Sequence, residues 1–121
     1  MLTQLEMLGL SHNKFSSSLP TELGNLTKLR TLAIDNNQLS GLIPSELGQV
    51  TNLAILKLLN NVKLRGTLPT ALAALNRTLR ELTIEGTSIT GTIPTGLCRV
   101  QGLRFDCSTN LCGCNCSCEA A

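Results

Sequence analysis

Six cysteines, Cys98, Cys107, Cys112, Cys114, Cys116 and Cys118, offer the most chemistry in this chain, and residues 1–97 contain none. Thiols spaced this closely either pair as disulfides in an oxidising compartment or hold Zn or Cu(I) as thiolates in a reducing one. The spacing does not choose among the possible pairings. Cysteines at i and i+2 of an extended stretch point the same way and pair poorly, so Cys98 and Cys107 are expected to bond members of the 112–118 run or each other. The count is even, which suits complete pairing. Disulfides are therefore the expectation, with no metal and no cofactor assigned.

The remaining reactive residues are sparse. His12 is the only histidine. It falls just after a strand-like segment, where a lone surface imidazole has no second histidine with which to build a triad or a zinc site. Glu81 and Glu85 flank Leu82-Thr83-Ile84. A carboxylate pair can act as acid and base, but solvated charges along a strand are the commoner meaning of such a pattern. No catalytic residue is assigned, and the chain reads as a non-enzyme.

Charge and composition narrow the partners. Ten Lys/Arg against eight Asp/Glu give a net charge of +2, and the basic residues are scattered along the sequence. With 2% aromatics and no Trp or Tyr, there is no aromatic–basic interleaving to suggest nucleic acid. No apolar stretch approaches the roughly 18 residues of a membrane span. Met1 to Glu6 has neither a basic start nor an apolar run, so it does not read as a signal peptide.

The elements that must position these residues recur. Pro20, Pro44, Pro69 and Pro94 stand 24, 25 and 25 residues apart, each preceded by Leu or Ile. Leu23, Leu47, Leu72 and Leu97 follow three residues later, and Gly41, Gly66 and Gly91 precede, with Ser17 in the first copy. Upstream, Leu8-Gly9-Leu10, Leu32-Ala33-Ile34, Leu56-Lys57-Leu58 and Leu82-Thr83-Ile84 are each followed by Asn13, Asn37, Asn61 or Thr87. The two longer periods reflect single insertions, one between Asn61 and Gly66 and one between Leu75 and Leu79. A fixed period of this size, carried by strand-spaced Leu pairs with Gly and Pro, excludes long helices and indicates a solenoid.

This pattern resembles the plant-type leucine-rich repeat of receptor-like kinases, receptor-like proteins and polygalacturonase inhibitors, with residues 26–49 matching almost position by position and the resemblance extending over roughly residues 2–100. It implies an α/β right-handed solenoid: a parallel β-sheet on the concave side, with short 3₁₀ or helical turns and loops on the convex side. Leu32 and Ile34 turn inward. Asn13, Asn37, Asn61 and Thr87 form a ladder that satisfies buried backbone groups. Thr21, Ser45, Thr70 and Thr95 fit the N-caps of the convex turns. Residues 1–97 are read as four repeats and 98–121 as a cysteine-rich C-terminal cap, similar to caps that close secreted members. Val100 and Leu103 are matched to Leu75 and Leu79 as the start of a further coil.

The concave positions, where the family usually binds ligands, are Met7, Gly9 and Ser11; Thr31, Ala33 and Asp35; Ile55, Lys57 and Leu59; and Glu81, Thr83 and Glu85. Sequons place candidate glycans at Asn25, Asn76 and Asn115, the first two on the convex side. The chain starts in mid-repeat, so an N-terminal cap or further repeats are expected upstream. The function expected is a recognition module of a secreted or receptor-like extracellular protein, binding a protein, peptide or glycan. Two alternatives stand beside it. One is a surface-binding repeat protein, including an ice-binding one, suggested by the regular column Thr21, Ser45, Thr70 and Thr95 with Ser18, Thr67 and Thr92. The other is an intracellular metal–thiolate repeat protein.

Overall fold

A computed structural model describes residues 4–105. Chain order within it is β1 (Met7–Gly9), β2 (Ser16–Ser18), β3 (Thr31–Ala33), β4 (Gln38–Leu42), β5 (Ile55–Lys57), β6 (Lys63–Thr67), β7 (Glu81–Thr83), β8 (Ser88–Thr90) and β9 (Gly102–Arg104). The odd-numbered strands form one parallel sheet in the order β1-β3-β5-β7-β9, and the even-numbered strands form a second in the order β2-β4-β6-β8. Between each even strand and the next odd one lies a 3₁₀ segment: Thr21–Asn25, Ser45–Gln49, Thr70–Leu75 and Thr95–Arg99. The chain therefore winds as a solenoid of stacked coils, each a strand, a second strand and a tight turn.

The core follows from the repeat. Leu32, Leu56 and Leu82 are aligned across the first sheet and are fully buried. Leu39, Leu64 and Ile89 are buried beneath the second sheet, whose register is staggered so that Leu64 stands opposite Gly41 and Ile89 opposite Gly66, and Leu47, Leu72 and Leu97 are buried under the 3₁₀ segments. Each aliphatic side chain packs on its own copy one coil away, so the core needs no large ring. Both insertions fall in turns. The strand register Ile55↔Glu81, Leu56↔Leu82, Lys57↔Thr83 runs through unshifted.

At the corner after each concave strand, backbone groups lose their in-strand partners, and the ladder asparagines take them up. Asn37 Nδ2 donates to Leu10 O of the preceding coil at 2.8 Å and to Ile34 O of its own at 3.0 Å, while its Oδ1 accepts the Phe15 N–H at 3.1 Å. Asn61 repeats this with Ile34 O, Leu58 O and the Leu39 N–H. Asn13 has no described coil before it and bonds Leu10 O and Ser11 O of its own turn. Thr87 is too short to cross between coils: its hydroxyl donates to Ile84 O at 2.7 Å. The Leu64 N–H, the position an asparagine at 87 would serve, instead donates to Asn61 O at 3.0 Å. The residue inserted after Asn61 lengthens that turn enough to close this bond.

Three expectations are corrected. Thr21, Ser45, Thr70 and Thr95 are not N-caps. Each is the first residue of its 3₁₀ segment, the preceding proline is the cap, and no side chain caps it; Thr21 and Ser45 hydroxyls donate to the neighbouring Glu22 and Glu46 carboxylates. The proline already fixes an extended residue before the turn, φ −74° and ψ 143° at Pro20, which leaves no room for a capping hydroxyl ahead of it. Leu103 is aligned with Leu82, not with Leu79, so the last coil reaches its strand sooner than the others. The extended segment before each proline is a full second sheet, which was not expected.

That second sheet depends on a left-handed corner. Gly41, Gly66 and Gly91 have φ of 76°, 87° and 88°, and Ser17 holds the same conformation at 75°. A Cβ on Gly66 would lie 2.4 Å from Leu42 Cδ2, so glycine there answers both to backbone geometry and to the coil beneath. Ser17 holds this conformation with a side chain and so carries the backbone strain.

The ladder generates a direct comparison. Asn61→Ala strands Leu58 O and the Leu39 N–H in a fully buried corner and leaves Ile34 O only its bond from Asn37; it is expected to cost at least about 2 kcal/mol, against about 1 kcal/mol for Thr87→Ala, which loses only bonds within its own coil. Urea unfolding of the two variants reads the difference; equal costs would show that the cross-coil bonds contribute nothing.

Candidate ligand-binding face

The first sheet positions every concave residue, because parallel register carries each side chain into a row across the coils. One row is Met7, Thr31, Ile55, Glu81 and Gly102; the next is Gly9, Ala33, Lys57, Thr83 and Arg104. Two residues further on, Ser11, Asp35, Leu59 and Glu85 continue the pattern where the strands end. Five strands contribute rather than four. Arg104 and Gly102 extend the face through the short last coil, and the aliphatic start of that coil, Val100 and Leu103, was the signal for it.

Not all of these residues are open to a ligand. Met7 is well exposed, whereas Thr31, Ile55, Lys57, Leu59, Glu81 and Glu85 are half-buried. Asp35 and Thr83 are buried, at 9% and 4% exposure, which corrects their placement as surface contacts. Ser11 Oγ donates to Asp35 Oδ1, and Asn36 Nδ2 donates to Asp35 Oδ2 at 2.9 Å. His12 Nε2 stands 3.9 Å from the same carboxylate, so the imidazole is not isolated from acids as its sequence position implied. Burial alone would raise the Asp35 pKa; bonds from Ser11, Asn36 and the backbone, with the His12 charge, outweigh it and lower the pKa. Ser11 and His12 both face Asp35, and no Ser–His bond links them. This arrangement orders the loop and does not make a nucleophile.

The C-terminal half of the face holds a shallow hollow of about 430 Å³ lined by Asp35, Lys57, Leu59, Asn60, Glu81, Thr83, Glu85 and Arg104. Arg104 Nε lies 2.9 Å from Glu85 Oε1, and Lys57 Nζ lies 4.0 Å from Glu81 Oε1. Glu81 and Glu85 thus each face a cation of the neighbouring row. Between the two cations, in register with both, the Thr83 hydroxyl is buried with no hydrogen-bond partner among the described residues. The hollow offers paired charges and one unsatisfied hydroxyl, a surface suited to polar recognition.

A second, outer column was missed in the sequence. His12, Asn36 and Asn60 have φ of 57°, 57° and 61°, followed by Gly86 at 70°. Asn60 Nδ2 donates to Asn36 Oδ1 at 2.9 Å, forming a surface rung beside the buried ladder. Asparagine's tolerance of the left-handed region was the available signal. Asn25 is exposed at the end of its 3₁₀ segment and Asn76 immediately after the third one, both away from the concave strands. Cys98 is exposed within Thr95–Arg99. Cys107, Cys112, Cys114, Cys116, Cys118 and Asn115 lie outside the described residues.

Residues 4–26, 28–50 and 78–100 match the family described as Leucine Rich Repeat. The unmatched stretch between the second and third segments contains the extra residue after Asn61. No curated protein matches the chain. Among solved structures, the plant peptide hormone receptor RGFR1 in complex with RGF2 is 36% identical with a TM-score of 0.82, over 86% of this chain and 17% of that one. The ectodomain of the plant membrane receptor kinase GASSHO1/SCHENGEN3 from Arabidopsis thaliana, in complex with Casparian strip integrity factor 2, is 45% identical with a TM-score of 0.77, over 84% of this chain and 12% of that one. A chain of the BIR3–SERK2 complex from Arabidopsis thaliana is 32% identical with a TM-score of 0.74, over 92% of this chain and 61% of that one.

The Asp35 cluster predicts a pH dependence. Its folded pKa lies below the reference value of 3.8, so the stabilisation it contributes is fully present above that value and is lost as pH falls through the folded pKa. Asp35→Asn should be less stable than wild type near neutral pH, with the gap closing under acid. A gap independent of pH in thermal melts would remove the ionised carboxylate from the account.

Proposed function

This chain belongs to the leucine-rich repeat family, and on that premise we propose that it is a non-enzymatic recognition segment of a receptor-like extracellular protein, binding a peptide or protein ligand on its concave sheet. The observation that carries the reading is the five-stranded register of half-buried polar and apolar side chains, Thr31, Ile55, Lys57, Leu59, Glu81 and Glu85, ending in the hollow around the buried Thr83 hydroxyl. Rigid strands hold these rows at fixed spacing, which suits an extended ligand that reads several positions at once. Similarity to a plant peptide hormone receptor supports a peptide as the ligand class.

The division into repeats over 1–97 and a cysteine-rich cap over 98–121 belongs to the same proposal. The last coil must be covered, since Leu97, Val100 and Leu103 end the aliphatic stack. Cys98, exposed at its edge, opens a run with an even number of cysteines, which favours a covalent cap over a thiolate metal cluster. Asn25 is exposed on a surface where a glycan meets no strand, in keeping with a secretory origin, whereas Asn76 lines a hollow beside Arg77 and Arg80.

Two measurements test this. Random peptides displayed on phage and selected on the full chain should lose binding to Ile55→Glu and Lys57→Glu variants and keep it for Lys63→Glu on the second sheet; selection indifferent to the concave substitutions would remove the concave face as the site. For the cap, intact mass after oxidative secretion should show all six cysteines protected from alkylation until reduction. Free thiols with bound zinc or copper would transfer the segment to the metal–thiolate reading.

A further inference from the structure

The ten basic residues look scattered in the sequence, but the solenoid gathers half of them on one edge. Arg30, Arg77, Arg80 and Arg99 line two adjoining hollows on the side where the chain climbs from the 3₁₀ segments into the concave strands, and Lys28 stands two residues before Arg30 on the same edge. One hollow, about 300 Å³, is formed by Arg30, Asn52, Ala54, Arg77, Thr78 and Arg80. The other, about 360 Å³, is formed by Asn76, Arg77, Leu79, Arg80, Arg99 and Gln101. Arg77 and Arg80 form the wall between them.

Among the described residues only Glu6 pairs with this edge, 3.7 Å from Arg30; Arg77, Arg80 and Arg99 have no acidic partner there. The edge thus gathers five of the ten basic residues and one of the six described acids, whereas the other described residues carry five of each sign. Uncompensated guanidinium groups on a rigid, concave surface repel one another and gain by taking up an anion. Arginine in place of lysine favours planar, bidentate partners, carboxylates above all.

We infer that this edge is a second binding surface, separate from the concave face, for an acidic peptide segment of a partner protein, with one carboxylate side chain seated in each hollow. The lining is made of guanidinium, amide and hydroxyl groups, which suits carboxylates and backbone carbonyls. There is no Trp or Tyr in the chain, and neither phenylalanine lines these hollows, so they hold no aromatic ring on which a nucleic-acid base could stack. Each hollow is of side-chain size, and the shared wall of Arg77 and Arg80 sets two anionic groups side by side. A segment bearing Asp or Glu at repeated intervals matches that arrangement. The solenoid also keeps this edge free when the concave sheet is occupied, so the two surfaces engage different ligands.

The test uses the full chain secreted into a bacterial periplasm, which adds no glycan at Asn76, and a fluorescein-labelled peptide of alternating Glu and Ser. Anisotropy should show binding that weakens as salt rises. Replacing both Arg77 and Arg80 with Gln should weaken it by about tenfold or more, whereas the same charge change made by Lys14→Gln with Lys63→Gln, on the second-sheet side, should weaken it by less than about twofold. Thermal melts establish that both variants fold; if the arginine pair does not, Arg99→Gln alone makes the same comparison at the rim of the second hollow. Equal weakening by the two pairs would reduce the effect to net charge and overturn the site. Absence of peptide binding, or tighter binding of a polyuronic acid through the same arginines, would overturn the peptide as ligand. Concave variants Ile55→Glu and Lys57→Glu report separately on the other face, so failure of one reading leaves the other readable.

Discussion

The whole architecture depends on satisfying the backbone at the corner where each concave strand ends. A strand in a parallel sheet is paired on both sides by its neighbours, but the residues that turn away from it are buried and lose those partners. An unpaired buried amide costs more than most side-chain contacts return. Asn37 and Asn61 resolve the problem with a carbonyl oxygen and an amide nitrogen placed to reach both their own coil and the previous one. Because the bonds cross between coils, they set the distance and rotation from one coil to the next. The aliphatic columns, the strand rows and the left-handed corners all inherit that spacing.

Two departures from the repeat become one when seen this way. Thr87 breaks the ladder, and one residue is inserted after Asn61. Either change alone leaves a flaw: threonine at 87 strands the Leu64 N–H, and an extra residue at 62 spoils the approach to an asparagine in the next coil. Together they close, because the longer turn lets Leu64 donate to Asn61 O and Ser88 Oγ donate to Val62 O at 2.7 Å. The ladder is a means of satisfying backbone groups, and a turn that satisfies its own groups can stand in for a rung.

What was legible in the sequence was what the period enforces. The period, the inward columns, the concave rows from Met7 to Glu85 and the ladder positions all follow from residue type at fixed spacing, whereas the fifth concave strand does not. What was not legible depended on lengths too short, or distances too long, for a pattern to show. The capping role assigned to Thr21, Ser45, Thr70 and Thr95 was wrong because a proline one residue earlier already occupies the cap, and a hydroxyl favoured at N-caps is equally at home in the first turn. Leu103 was assigned one step too early because only two aliphatic residues mark the last coil, too few to reveal that it is shortened. The second sheet has three- and five-residue strands whose pairing comes from stacking, not from local propensity. The burial of Asp35 and Thr83 depends on neighbours a full coil away, which no local window contains.

The same geometry explains how surface can vary while the fold does not. Inward columns are constrained by their own copies above and below, so Leu, Ile and Val recur there. Outward positions meet only water and their row neighbours, and each row samples one residue per coil. Residues about 25 apart in sequence become adjacent in space, so charge that looks dispersed along the chain becomes concentrated on a face. Lys57 with Thr83 and Arg104 in one concave row, and Arg30 with Arg80 on the edge beside it, both arise this way. A substitution at one outward position alters a single point of a row without disturbing the ladder or the core. Recognition in this chain is therefore written in rows across coils, while stability is written in columns through them, and the two meet at Asp35 and at the Thr83 hydroxyl, which lie in recognition rows yet are buried.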